Sequence, residues 1–241
     1  MKTAWAGIVS HRIIMKNGEN GMEKRRQGRR KRRRIAVIRL IGLLLVVVLI
    51  VAGTYSCAAK KRRRLRAVDA SKPEISVQLL DVNPYSRPGI ELEQINGIVI
   101  HYTANPGSTA QNNRDYFNSL QYTQDNEVSS NFVIGLDGEI VQCIPTWEMA
   151  YASNERNADT ISIECCHPDE SGEFTYETYA SAVQLSAWLC LKYNLTAEDV
   201  IRHYDVTGKN CPKYYVENEE EWELFRENVR AAIDRTLSES G

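Results

Sequence analysis

Two histidines, one cysteine, a glutamate and a lysine are the residues of this 241-residue chain whose types and spacing could do chemistry. His101 and His203 end the β-like runs GIVIHYT and DVIRHY, and Cys211 follows His203 closely in RHYDVTGKNCP. A catalytic zinc site takes three protein ligands from imidazole nitrogen and thiolate sulfur and keeps a fourth position for water, a count that two His and one Cys meet. Ligands this far apart in sequence have no diagnostic interval, and neither CxxC nor HExxH is present. On spacing alone the same residues also read as two satisfied strand-end histidines and a buried free thiol. Glu164 in TISIECC and Lys209 in the Gly-containing loop before Cys211 read, by themselves, as a strand carboxylate and a surface charge.

Short β-rich runs must position these groups: 97–103, 131–144 with Asp137-Gly138 as a hairpin turn, 160–166 and 199–204. Alternation puts Ser162, Glu164 and Cys166 on one face and Ile161, Ile163 and Cys165 on the other, while His101 shares a face with Val99 and Thr103. Helical spacing predicts helices over 110–120, over 176–193 with Tyr179, Val183, Leu185, Leu189 and Leu191 as core, and over 219–237 with Trp222, Phe225, Val229 and Ile233 as core. Strands and helices alternate without an internal repeat. The fold class is therefore α/β (α+β), a single domain with a central mixed sheet flanked by helices.

Charge divides the chain in two. Up to Arg66 there are 19 Lys or Arg against two acids, a net +17, and from Ala67 on there are 11 bases against 29 acids, a net −18. Between Arg39 and Lys60 lie 20 uncharged, mainly apolar residues, long enough to cross a bilayer as one helix. Nine bases precede this stretch in KRRQGRRKRRR and six follow it in KKRRRLR, a bias that favours a cytoplasmic N-terminus. Expected boundaries are a basic cytoplasmic tail over 1–34, a transmembrane signal anchor over 35–59, a basic then polar linker over 60–94, the catalytic domain over 95–236 and a tail over 237–241. A cleaved signal peptide is the alternative reading of the apolar stretch, with Cys57 a poor lipidation site. Residues before Met22 resemble neither a targeting segment nor a domain, so Met22 is the expected start. No aromatic residues interleave the basic runs, so they read as topology signals and contacts to anionic lipid, with no nucleic-acid partner.

The motifs IVIHYTANPG, SSNFVIGLDGEIVQCIP, NADTISIECCHP and RHYDVTGKNCP, in this order, resemble the zinc-dependent N-acetylmuramoyl-L-alanine amidases of the type 2 family, whose fold is shared with peptidoglycan-recognition proteins. The resemblance runs from about residue 83 to 233. It implies hydrolysis of the amide between N-acetylmuramic acid and L-alanine of peptidoglycan, with Zn2+ on His101, His203 and Cys211. It also implies Glu164 as general base and then acid, and Lys209 as the partner of the tetrahedral oxyanion. Members that only bind peptidoglycan generally lack the cysteine, so Cys211 favours catalysis over a receptor or scaffold on the same fold. Phage-type members carry a tyrosine before a histidine in the hairpin strand, where this chain has Ser130 and Asn131; the proton transfer then falls on Glu164. Thr103, Asn131, Trp147, Tyr151 and His167 are candidate substrate contacts. The expected product is a single-pass bacterial membrane protein with an extracytoplasmic, monomeric domain acting on peptidoglycan.

TGKN at 207–210 is not a phosphate-binding loop, lacking its leading glycine and its Ser or Thr, and Asn194-Leu195-Thr196 is a glycosylation sequon by pattern only. Cys143, Cys165, Cys166 and Cys190 are too sparse for a disulfide framework, and read as free thiols or as one bridge such as Cys143 with Cys165.

Overall fold

The computed structural model describes Ala4–Ser240, with side chains at 25–26, 29–34 and from 38 to 240; Met22, the expected start, lies outside the described side chains. The described residues fall into two units that divide between Lys60 and Lys61. Helix α1 spans Ala4–Ser71. Its stretch Arg29–Ser71 contains a window of mean hydropathy 3.2 whose side chains are unburied, long and apolar enough to cross a membrane.

In the second unit the strands β1 (Ser76–Val77), β2 (Gly97–Tyr102), β3 (Phe132–Ile134), β4 (Ile140–Gln142), β5 (Thr160–Cys165) and β6 (Val200–Arg202) form one mixed sheet. The order is β1-β4-β3-β5-β2-β6. Only the β3–β4 pair is antiparallel, joined by the expected hairpin, where Gly138 takes φ +80°. Strands β3, β5, β2 and, at the edge, β6 run parallel. Helices α2 (Ala110–Thr123), α3 (Tyr176–Tyr193), α4 (His203–Thr207), α5 (Lys213–Glu217) and α6 (Glu219–Glu239) surround the sheet, which is the α/β architecture expected.

Alternation along the strands creates two cores. Ile98, Ile100, Ile161, Ile163 and Cys165 face α3 and α6, burying Leu185, Leu189, Trp222, Phe225 and Val229, each such side chain contributing about 1.5–3 kcal/mol. Val133, Val141, Cys143 and Cys166 face the other way, against Phe117 of α2. Cys143 and Cys165 therefore sit on opposite faces, and all six cysteines are free thiols. The contemplated bridge does not form.

Within the segment 60–94, residues from Lys61 on pack in the second unit. Ala67 is buried and the Trp188 indole donates to the Val68 carbonyl at 3.1 Å. Arg64 donates to the carbonyls of Cys190 and Leu191 at the end of α3, and Arg63 to that of Leu237 near the end of α6. Helix C-termini carry partial negative charge, which these guanidiniums offset. Beyond the helix, β1 joins the sheet edge and Arg87 forms a bidentate pair with Glu148 at 2.7 and 2.8 Å.

Candidate metal centre

His101 is the fifth residue of β2 and stands in register with Glu164 of the neighbouring β5, which in turn pairs with Val133 of β3. Side chains in register on adjacent parallel strands share a face, so His101 and Glu164 project together from the α2 side of the sheet. The β-like run expected over 199–204 is shorter: β6 ends at Arg202 and His203 is the first residue of α4. Buried Arg202 anchors this junction through Asp205, Glu219 and the Tyr215 carbonyl. Gly208 then ends α4 with φ +77°, which favours glycine, and the chain doubles back until the Tyr204 N–H donates to the Cys211 carbonyl at 2.9 Å. That reversal returns Cys211 to His203.

The three side chains converge. His101, His203 and Cys211 are 2, 5 and 2% exposed, and their ligand atoms all lie within 4.8 Å of one another. Sγ of Cys211 is 3.8 Å from Nδ1 of His101, close to the edge of about 3.5 Å that tetrahedral bonds of about 2.0 and 2.3 Å would give. The two imidazoles cross at 65° with centroids 4.8 Å apart. Their outer nitrogens are held: Nε2 of His101 lies 3.2 Å from Ser153 Oγ, and Nε2 of His203 donates to Asn154 Oδ1 at 2.9 Å. The second bond places the proton of neutral His203 on Nε2 and leaves Nδ1, buried and without a hydrogen-bond partner, as a lone-pair donor. Such an orphaned ligand atom beside a thiol and a second imidazole nitrogen fits a zinc ion.

The protonation states agree with that fit. Burial, then the neighbouring His203 and Lys209, hold His101 well below its ordinary pKa, and burial followed by Lys209 lowers His203. Both rings are thus neutral at pH 7, the form that ligates. Burial, reinforced by Glu164, pushes the Cys211 thiol up to about 12; a divalent cation there would take the thiolate and displace the proton. Burial likewise pushes the Glu164 carboxyl up to about 8, opposed by Lys209. Glu164 Oε2 is buried without a partner, and Lys209 is exposed at the mouth of the Cys211 loop.

The candidate substrate contacts divide. Thr103 shares the His101 face and has a buried Oγ1 without a partner, and the unpartnered Nε2 of His167 is also buried while its Nδ1 donates to the Asp169 carbonyl at 2.7 Å. Tyr151 is half-buried in the loop leading to Ser153. Asn131 is fully buried, with its amide donating to the Pro145 and Glu148 carbonyls and its oxygen accepting from Ser162, so it braces the hairpin and offers no group to a ligand. Trp147 is 57% exposed but lines a cleft on the α3 side of the sheet. Ser153 and Asn154, which hold the imidazoles, escaped the sequence reading; the only signal is the turn-forming run SNERN.

The chain spans about half the length of the curated relatives it matches. It is 36% identical over 172 residues to the N-acetylmuramoyl-L-alanine amidase CwlL of Bacillus licheniformis, covering 66% of this chain and 48% of that protein. It is 32% identical over 175 residues to the N-acetylmuramoyl-L-alanine amidase BlyA of Bacillus subtilis (strain 168), covering 64% and 46%. The structure of PlyL superposes with a TM-score of 0.56 at 27% identity, over 66% of this chain and 98% of PlyL. Residues 91–214 match the family model Amidase_2, N-acetylmuramoyl-L-alanine amidase. That span contains both histidines, Glu164 and Cys211, so the chain with this His-His-Cys cluster belongs to the Amidase_2 family.

Proposed function

We propose that the chain hydrolyses the amide between the lactyl group of N-acetylmuramic acid and L-alanine of peptidoglycan, at a zinc held by His101, His203 and Cys211. The observation that carries this reading is the convergence of three neutral ligand atoms beside Glu164, within a family whose curated relatives are named for this activity. Zinc, when bound, supplies a Lewis acid for the scissile carbonyl and acidifies water at the site. Glu164 takes the proton of the attacking water and passes it to the departing amine nitrogen, for which its raised carboxyl pKa suits it near neutral pH. Lys209 offsets the negative charge that develops on the carbonyl oxygen. Ser153 and Asn154 keep the imidazoles turned toward the cation.

A non-catalytic receptor would need neither a thiolate ligand nor a carboxyl tuned in this way. We further propose that α1 anchors the chain in the cytoplasmic membrane, N-terminus inside, with a monomeric catalytic unit outside; the apolar window and the nine bases before it support this. Digestion of a defined muropeptide by the full chain, followed by mass spectrometry, tests the activity. The expected products are a lactyl carboxylic acid and a peptide with a free L-alanine amine; cleavage at a glycosidic or peptide-peptide bond refutes the assignment.

A further inference from the structure

A cleft of about 500 Å3 opens on the face of the sheet opposite the metal ligands, between the β1 edge and the end of α3. Strand parity places it there. Ile140 joins the α3-side core and Val141 the α2-side core, so Gln142, which lines the cleft, points with Ile140 and away from Glu164. Trp147 stands 57% exposed at the cleft beside the half-exposed apolar side chains of β1 and its continuation. Lys192 is fixed there: its ammonium sits 4.8 Å from the Trp188 ring centroid and 5.1 Å from that of Tyr193, and reaches Thr146 Oγ1 at 3.4 Å.

Arg87, Arg114, Arg156, Arg202, Arg226 and Arg230 each pair with a carboxylate. From Ala67 on, Lys72, Lys192, Lys209, Lys213 and Arg235 make no such pair among the described residues, and the first two of these line this cleft. Two ammoniums beside an exposed indole outnumber the one carboxylate that lines the cleft, Glu74, and in a unit rich in acid this local positive excess suits a sugar chain that carries carboxylates. The indole offers a flat apolar face to a sugar ring, and the ammoniums receive the acid.

We infer that this cleft binds the acidic product of the reaction, the glycan strand stripped of its peptides. The inference rests on the proposed activity. Hydrolysis adds water across the lactyl C–N bond, leaving a carboxylate on the glycan and an ammonium on the peptide, so each processed muramic acid turns from a neutral amide into an anion. The cleft reads that change. Holding a processed stretch on one face of the sheet keeps the unprocessed stretch close to the other.

The test is binding of stripped glycan strands, which contain no scissile amide, to the full chain in detergent micelles. Lys72→Gln and Lys192→Gln are each expected to weaken binding about two- to fivefold, as an exposed charge pair does, and Trp147→Ala about tenfold, as an aromatic anchor does. Release of L-alanine-ended peptide from a short soluble muropeptide by the two lysine variants is expected to stay unchanged. Unaltered binding in all three variants overturns the inference, as does equal binding of strands whose carboxylates have been methylamidated. Tighter binding of poly(glycerol phosphate) also overturns it, by reassigning the cleft to a phosphate polymer. A chain that releases no L-alanine-ended peptide yet binds acidic strands through Lys192 refutes the activity and leaves the cleft standing.

Discussion

Glu164→Gln separates the two tasks assigned to this carboxyl. In the metal-free fold, burial raises the Glu164 pKa from an ordinary 4.5 to about 8. Below about pH 4.5 the group is protonated whether folded or unfolded. Between about 4.5 and 8 the folded chain keeps a proton that the unfolded chain has released, so this group's contribution to stability falls as pH rises. At about 1.4 kcal/mol per pH unit the loss reaches roughly 4–5 kcal/mol by pH 8, an upper bound because Glu164 keeps partial exposure. Glutamine does not titrate, so the variant gains on the wild type by a few kcal/mol across that window. Guanidinium unfolding of the chelated full chain at several pH values, followed by tryptophan fluorescence, reads the difference. In the zinc-loaded protein the variant is expected to retain the metal, since Glu164 is not a ligand, and to lose about 10²- to 10⁴-fold in turnover, the range of general acid–base catalysis. A pH-independent difference between wild type and variant refutes the burial argument; turnover within about tenfold of wild type refutes the proton-transfer role.

Cys211→Ser is expected to lose both zinc, by metal analysis, and turnover, because a hydroxyl does not replace the thiolate ligand. Asn154→Ala leaves the three ligands in place but frees the His203 ring, and is expected to weaken zinc affinity or activity about 10- to 100-fold, read by competition with a chelator. A domain beginning at Lys72 lacks Val68, the acceptor for the Trp188 indole, and the Arg64 contacts to the end of α3. It is expected to be less stable than one beginning at Lys61 by about 2 kcal/mol, measured by chemical denaturation.

The sequence carried much of this arrangement because its signals are periodic. Glu164 and His101 could be placed on strand faces by alternation, and α3 has the bounds that its apolar spacing predicts. The return of Cys211 to His203 depends on Gly208, whose φ of +77° permits the reversal and which the spacing alone did not mark. Other features depend on long-range partners that leave no periodic trace. Asn131 has the composition of a ligand contact, but its two carbonyl partners lie on a distant loop. Trp147 and Lys192, 45 residues apart, come together only in the folded chain, where both line one cleft. The basic run after the apolar stretch resembles a topology signal, and its use in capping α3 and α6 emerges only once those helices end beside it.

The central claim is a zinc at His101, His203 and Cys211 that the amide hydrolysis requires. The direct measurement is release of L-alanine-ended peptide from a defined muropeptide by the full chain as isolated, after chelation and after zinc is restored, with zinc content measured at each stage. One zinc per chain, loss of release on chelation and recovery in proportion to zinc returned are expected, with none of this recovery in Cys211→Ser. Undiminished release from protein shown to hold no metal would contradict the claim.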